Sequence, residues 1–187
     1  MSALIAAVRT LIPISPALEI ALEAIVQREE LPARQQLLKP GQIARRLYFV
    51  EQGLVRGFAL HDGQEISSWF MSEGDFVISI VSFLTQQPST EFLELLEPSI
   101  LYSIDHAKLH ELYHTFPEFN YVGRVLTERY YVQSEQRAYQ LRTLSAGARY
   151  TQLIRDFPSL VQRVPLKYLA SNLGMTPETL SRMRAKI

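Results

Sequence analysis

The last stretch of the chain, Val164 to Ile187 (VPLKYLASNLGMTPETLSRMRAKI), constrains the fold more than any other. Leu166, Leu169, Ala170 and Leu173 fall at i, i+3, i+4 and i+7, one apolar stripe on a short helix. Gly174 permits the positive φ that closes it. Thr176 followed by Pro177 predicts an N-cap with proline at the first helical position, so a second helix starts at once. On that helix Leu180, Met183 and Ile187 point one way, and Glu178, Ser181, Arg182 and Ala185 the other. Two short helices around a glycine turn, the second with a polar, basic face, predict a helix-turn-helix. An ordinary pair of packed helices shares the pattern, so the rest of the chain must separate the two.

Charge separates them. The 187 residues carry no net charge, but the distribution is uneven. From Arg137 onward nine bases face only Asp156 and Glu178, a net charge of +7 that leaves residues 1–136 at −7. An acidic body with a basic tail is the electrostatic footprint of a nucleic-acid binder. The chain has no cysteine, which excludes disulfides, cysteine-ligated zinc, iron–sulfur clusters and thiol redox sensing. No apolar run approaches the ~20 residues of a membrane span, and no basic region precedes the first apolar stretch. A cytoplasmic protein without a membrane partner is expected.

Residues 2 to about 31 read as helical, with Ser15-Pro16 opening a second helix on the stripe Leu18, Leu22, Ile25 and Val26. From Leu37 to Asp105 the character changes. Gly41, Gly53, Gly57, Gly63 and Gly74 separate short runs rich in aromatic and β-branched residues. Leu47–Val50, Leu54–Leu60, Glu65–Met71 and Leu93–Asp105 (broken at Pro98) read as strands, and Asp62-Gly63 as a hairpin turn. Such spacing predicts a barrel or jelly roll. A short helix then ends near Phe116-Pro117, and a long one begins at Glu118. Its apolar stripe is Phe119, Val122, Leu126 and Tyr130, widened by Tyr121, Val125 and Val132. One side rests on the barrel; the other is a natural homodimer seam, assigned to Phe119, Val122, Gly123, Leu126 and Tyr130, with Gly123 allowing close approach. A second helix of the same chain would serve equally as the cover. After Ser145 a further helix runs to Arg155, then a turn at Phe157-Pro158 leads to the C-terminal motif.

Strands, long helix and helix-turn-helix in this order resemble the Crp–Fnr family of bacterial transcription regulators. Lys39-Pro40-Gly41, Leu47-Tyr48-Phe49-Val50 with Gly53, Gly74-Asp75-Phe76, and the Leu169–Arg182 stretch with Gly174, Glu178, Thr179 and Arg182 carry the resemblance. It implies an α+β chain: N-terminal helices and a jelly-roll (double-stranded β-helix) sensor barrel over 1–116, a dimerisation helix over 117–144, and a DNA-binding helix-turn-helix over 145–187. It implies palindromic double-stranded DNA, a second copy of the chain and RNA polymerase as partners. Lys167, Thr176, Pro177, Glu178, Ser181, Arg182 and Lys186 are the expected DNA contacts.

Two departures stand out. cAMP-binding members carry a Gly-Glu pair for the ribose and an Arg-Ser pair for the cyclic phosphate. Equal spacing puts Ile78-Ser79 and Ser89-Thr90 there, so the phosphate lacks its bidentate partner. The expected pocket is instead lined by Ser79, Ser82, Gln86, Gln87, Ser89 and Thr90, with Ser134 approaching from the long helix; it holds a neutral polar effector or nothing. Members also continue into a small β wing, whereas this sequence stops at Ile187, naturally or by truncation.

His110-Glu111-Leu112-Tyr113-His114 matches the zinc-protease pattern H-E-x-x-H, and His106 adds a histidine one turn earlier. An amphipathic helix with Leu109, Leu112 and Phe116 facing the barrel explains it more simply, and no histidine after His114 completes a site. The expectation is therefore no enzyme, no resident metal and no cofactor. The alternatives are an interaction protein with a vestigial barrel and weak DNA binding and, more remotely, a zinc hydrolase.

Overall fold

The computed structural model describes residues 2–185; Lys186 and Ile187, and with them one expected DNA contact, lie outside the described residues. Two helices open the chain, α1 (Ala3–Leu11) and α2 (Pro16–Ile25). Eight strands follow: β1 (Gln27–Leu31), β2 (Gln36–Leu38), β3 (Arg46–Gln52), β4 (Val55–His61), β5 (Gln64–Met71), β6 (Phe76–Val77), β7 (Phe92–Leu95) and β8 (Ser99–Asp105). A short helix α3 (Ile80–Thr85) interrupts them. The rest is helical: α4 (His106–Thr115), α5 (Pro117–Thr143), α6 (Ala146–Asp156), α7 (Pro158–Arg163), α8 (Leu166–Asn172) and α9 (Pro177–Arg184).

The strands form two antiparallel sheets ordered β1-β8-β3-β6 and β2-β7-β4-β5. Asp62 and Gly63 take φ of 50° and 75°, the double positive that a type I′ turn needs, and close β4 onto β5. Val50, Leu93, Leu95 and Leu101 form the core with Leu4, Ile5, Val8, Leu18 and Leu22 from the N-terminal helices. Each such side chain contributes about 1.5–3 kcal/mol by leaving water.

The helical reading of residues 2 to about 31 is corrected at its end. The chain leaves α2 at Val26 and pairs with β8 from Gln27 to Leu31. The polar run QREEL hid this strand because it lies at a sheet edge, where charged residues meet partners across strands: Arg46 donates to Glu29 at 2.9 Å, and Arg28 lies 3.5 Å from Glu51. The short segment between the Phe157-Pro158 turn and Val164 is helical, as α7.

Candidate nucleic-acid interface

Helix α8 buries Leu169, Ala170 and Leu173, and its C-terminus closes in a Schellman motif. The Gly174 amide donates to the Ser171 carbonyl (3.1 Å) and the Met175 amide to that of Ala170 (3.0 Å), with Gly174 at φ 66°. Arg149 ties the turn to α6, donating to the carbonyls of Leu173 and Leu144, each at 2.6 Å. Thr176 then caps α9: its hydroxyl accepts from the Thr179 amide at 3.2 Å. Leu180 is fully buried, while Glu178, Ser181 and Arg182 stand exposed on the opposite face. The amide of Glu178 itself, then the Thr176 hydroxyl, holds the Glu178 carboxyl below its ordinary value. Lys167 is exposed on α8, and half-buried Pro177 is the first residue of α9.

This helical unit is fastened to the barrel. Leu54, Phe70 and Leu96 share a core with Leu169, Leu173 and Leu180. A register shift between Gly57 and Phe58 leaves Ser68 as the extra residue of a bulge in β5. Asn172 donates to the carbonyls of Ser67 and Ser68, both at 3.2 Å, and Ser171 accepts from the Ser67 amide at 3.0 Å. Arg56, fully buried, lies between the Phe58 and Tyr168 rings, its guanidinium carbon 4.0 and 3.6 Å from their centroids. Its charge meets Glu65 at 2.9 Å and Glu94 at 3.6 Å. Arg163 reaches Glu73 (2.8 Å), Glu97 and the Gly53 carbonyl (3.1 Å). That guanidinium pulls Glu73 down to about 2. Of the polar fastening residues only Arg56 stands out in the sequence, as a charge inside the apolar run Leu54–Leu60.

Residues 28–116 match the family model described as the cyclic nucleotide-binding domain. Solved structures match the whole arrangement. The c-di-GMP-responsive global regulator CLP of Xanthomonas campestris is 22% identical, with a TM-score of 0.73 over 92% of this chain and 91% of that one. FixK2 of Bradyrhizobium japonicum gives 16% and 0.74 over 87% and 84%. A transcriptional regulator of the crp/fnr family from Eubacterium rectale gives 16% and 0.72 over 92% and 83%. The chain has the Crp–Fnr fold. Among curated proteins no sequence matches.

Within that Crp–Fnr fold the residues expected at the dimer seam have partners inside the single chain. Phe119 and Val122 are 4% and 2% exposed within the single chain and belong to the barrel core, with Leu126 packed against it. A Cβ on Gly123 would lie 2.6 Å from the Tyr113 hydroxyl, so its close approach is to α4. The Tyr130 hydroxyl accepts from the Phe76 amide at 2.8 Å, and burial pushes it up to about 12. The sequence stripe was real, but the barrel covers it. The face left open carries Tyr121, Glu128, Val132, Glu135 and Tyr139, with half-buried Val125 among them.

The residues expected to line a ligand pocket hydrogen-bond among themselves and to the loop before β3. The Ser82 hydroxyl donates to the Gln87 carbonyl (2.6 Å) and accepts from the Ala44 amide (2.9 Å). Gln86 donates to the carbonyls of Phe83 (2.7 Å) and Ala44 (3.2 Å), while Ser79 and Ser89 join at 3.3 Å. Gln87 and Thr90 are exposed, and so is Ser134 on α5, which has no hydrogen bond to this set. The Trp69 indole lies against Gly57, 2.2 Å from where a Cβ would stand, and packs on the barrel core. On α4, Leu109 and Leu112 are buried while His110, Glu111 and His114 are exposed. Among the described residues no three metal-ligating side chains converge, and no helix is long and apolar enough to cross a membrane.

Proposed function

We propose that this chain is a dimeric, sequence-specific DNA-binding transcription regulator that does not respond to cAMP. One observation carries the reading: α9 is held by its buried face and N-cap so that Glu178, Ser181 and Arg182 project together into solvent. An arginine in such a helix can bind guanine O6 and N7 together, and a glutamate can accept from cytosine N4. Lys167, with Lys186 beyond the described residues, suits phosphates, as does the N-terminal end of α9 at Thr176 and Pro177. The division at 1–116, 117–144 and 145–187 assigns sensing, pairing and DNA contact to the three parts, with RNA polymerase the further partner.

The open face of α5 supplies the seam for pairing. Tyr121, Val125, Glu128, Val132, Glu135 and Tyr139 repeat at alternating spacings of four and three, the heptad period of a two-stranded coiled coil. Two copies related by a two-fold axis set two α9 helices for half-sites ~34 Å apart on one face of the duplex. Without an arginine or a glutamate at Ser89 and Ser79, cyclic nucleotides lack their phosphate and ribose partners. Selection of binding sites from random duplexes at several salt concentrations tests the reading. A palindromic site bound more weakly as salt rises is expected; binding without sequence preference at every salt concentration overturns it.

A further inference from the structure

A cleft of about 540 Å³ opens at the end of the barrel between β2, β3 and β7, with none of Ser79 to Ser89 among its lining residues. Its volume is in the range of small-molecule sites. Leu37, Leu38, Ile43, Ala44 and Leu93 supply an apolar lining, and Arg45 and Arg46 are the charged residues on it, with no carboxylate among the lining residues. Tyr48 completes the wall. Only 8% of its surface is exposed, but its hydroxyl is not among the enclosed atoms left without a partner, so it keeps contact with solvent. Burial raises the phenol above its ordinary value, so it remains a proton donor at neutral pH.

The charges at the rim narrow the choice further. Arg46 already donates to Glu29 at 2.9 Å, and the Ser103 hydroxyl donates to the same carboxylate oxygen at 2.7 Å. Arg45 forms no ion pair among the described residues, and its carbonyl, accepting from the His106 amide at 2.8 Å, anchors it at the rim. One uncommitted cation and one neutral donor suit a monoanion better than a phosphate dianion. We propose that this cleft binds a small monocarboxylate with an apolar body, its carboxylate held by Arg45 and the Tyr48 hydroxyl. The rim is tied to the segment beyond β6: the Gly41 amide donates to the Ser89 carbonyl and the Ser89 amide to that of Gln42, both at 2.8 Å. A ligand at the rim therefore acts on that segment.

The sole tryptophan, Trp69, pairs with Gly57, which pairs in turn with Leu93 of the cleft, so its fluorescence is a built-in reporter. Sodium octanoate and 3-phenylpropionate are titrated into the full chain without DNA, by fluorescence and by calorimetry, with 1-octanol as the neutral control. Saturable submillimolar binding of at least one acid is expected, about tenfold weaker or worse in Arg45→Met and in Tyr48→Phe, and 1-octanol should bind about tenfold more weakly than octanoate to the unsubstituted chain. Both substitutions should leave thermal melting nearly unchanged, since Arg45 is exposed and phenylalanine keeps the shape of Tyr48. No saturable binding of either acid, equal binding of 1-octanol, or unchanged affinity in both variants overturns the proposal. Because DNA is absent, the outcome is independent of whether the chain reads DNA.

Discussion

Arg182 and Arg56 show how differently one residue type acts in two settings. Arg182 is exposed, and its nearest polar partner is the Thr179 hydroxyl at 3.5 Å, so its guanidinium is free for a base edge. Arg182→Ala should cost ~1–3 kcal/mol per half-site and relax the preference at one base position. An unchanged preferred sequence in a binding-site selection would rule out α9 as the reader. Lys167→Ala should instead weaken all sequences alike and flatten the salt slope by about one unit per lost phosphate contact. Arg56 is the opposite case, a buried charge between two rings and two carboxylates, with Nη2 lacking a partner. Removing it leaves Glu65 and Glu94 facing each other without a counter-charge. Arg56→Ala should destabilise the fold by about 3–5 kcal/mol in chemical denaturation.

Helix α5 is the element on which the proposed function turns, because one face packs on the barrel and the other is open. The inner face follows Phe119, Val122, Leu126 and Tyr130 along the barrel and reaches α8 at Arg137, which lies 3.5 Å from the Asn172 side chain. The outer face has Val132 at 53% and Tyr139 at 63% exposure and no partner within the chain. Two substitutions separate the faces. Val132→Arg should give monomers in sedimentation velocity with melting nearly unchanged, whereas Leu126→Arg should lower the melting temperature by burying a charge against the barrel. In the proposed parallel pair Glu128 and Glu135 would interrupt the apolar seam and face their symmetry mates. Glu128→Leu with Glu135→Leu should therefore tighten the dimer; an unchanged association constant places the seam elsewhere.

Over the whole molecule, the barrel and the helix-turn-helix are held together by contacts of two kinds. The apolar core around Leu54 and Leu169 is indifferent to pH, but the Arg163 fork is not. Glu73 falls from its ordinary 4.5 to about 2 beside Arg163. A depressed carboxyl contributes its stability fully above the unfolded value and loses it as pH falls from there toward the folded one. Fastening should thus weaken below about pH 4.5, seen as faster proteolytic cleavage between α5 and α6. Arg163→Met should give that cleavage at neutral pH and remove this part of its acid dependence.

Local rules sufficed for much of this chain. The Ser15-Pro16 and Thr176-Pro177 caps, the Asp62-Gly63 turn and the Gly174 stop depend on a few consecutive residues, so they were legible in the sequence. The apolar stripes of α8 and α5 were legible too, because periodicity says which residues leave water. Periodicity does not say what covers them. Only the tertiary structure assigned Phe119 and Val122 to the barrel and left Val132 and Tyr139 open. The edge strand Gln27–Leu31 escaped for a related reason: its pairing with β8 is long-range, and one face stays wet. Arg56 under Tyr168, Asn172 on the β5 bulge, and the cleft that Tyr48 shares with Leu93 each depend on neighbours far away in the chain. Such neighbours are set by packing, which no local pattern encodes.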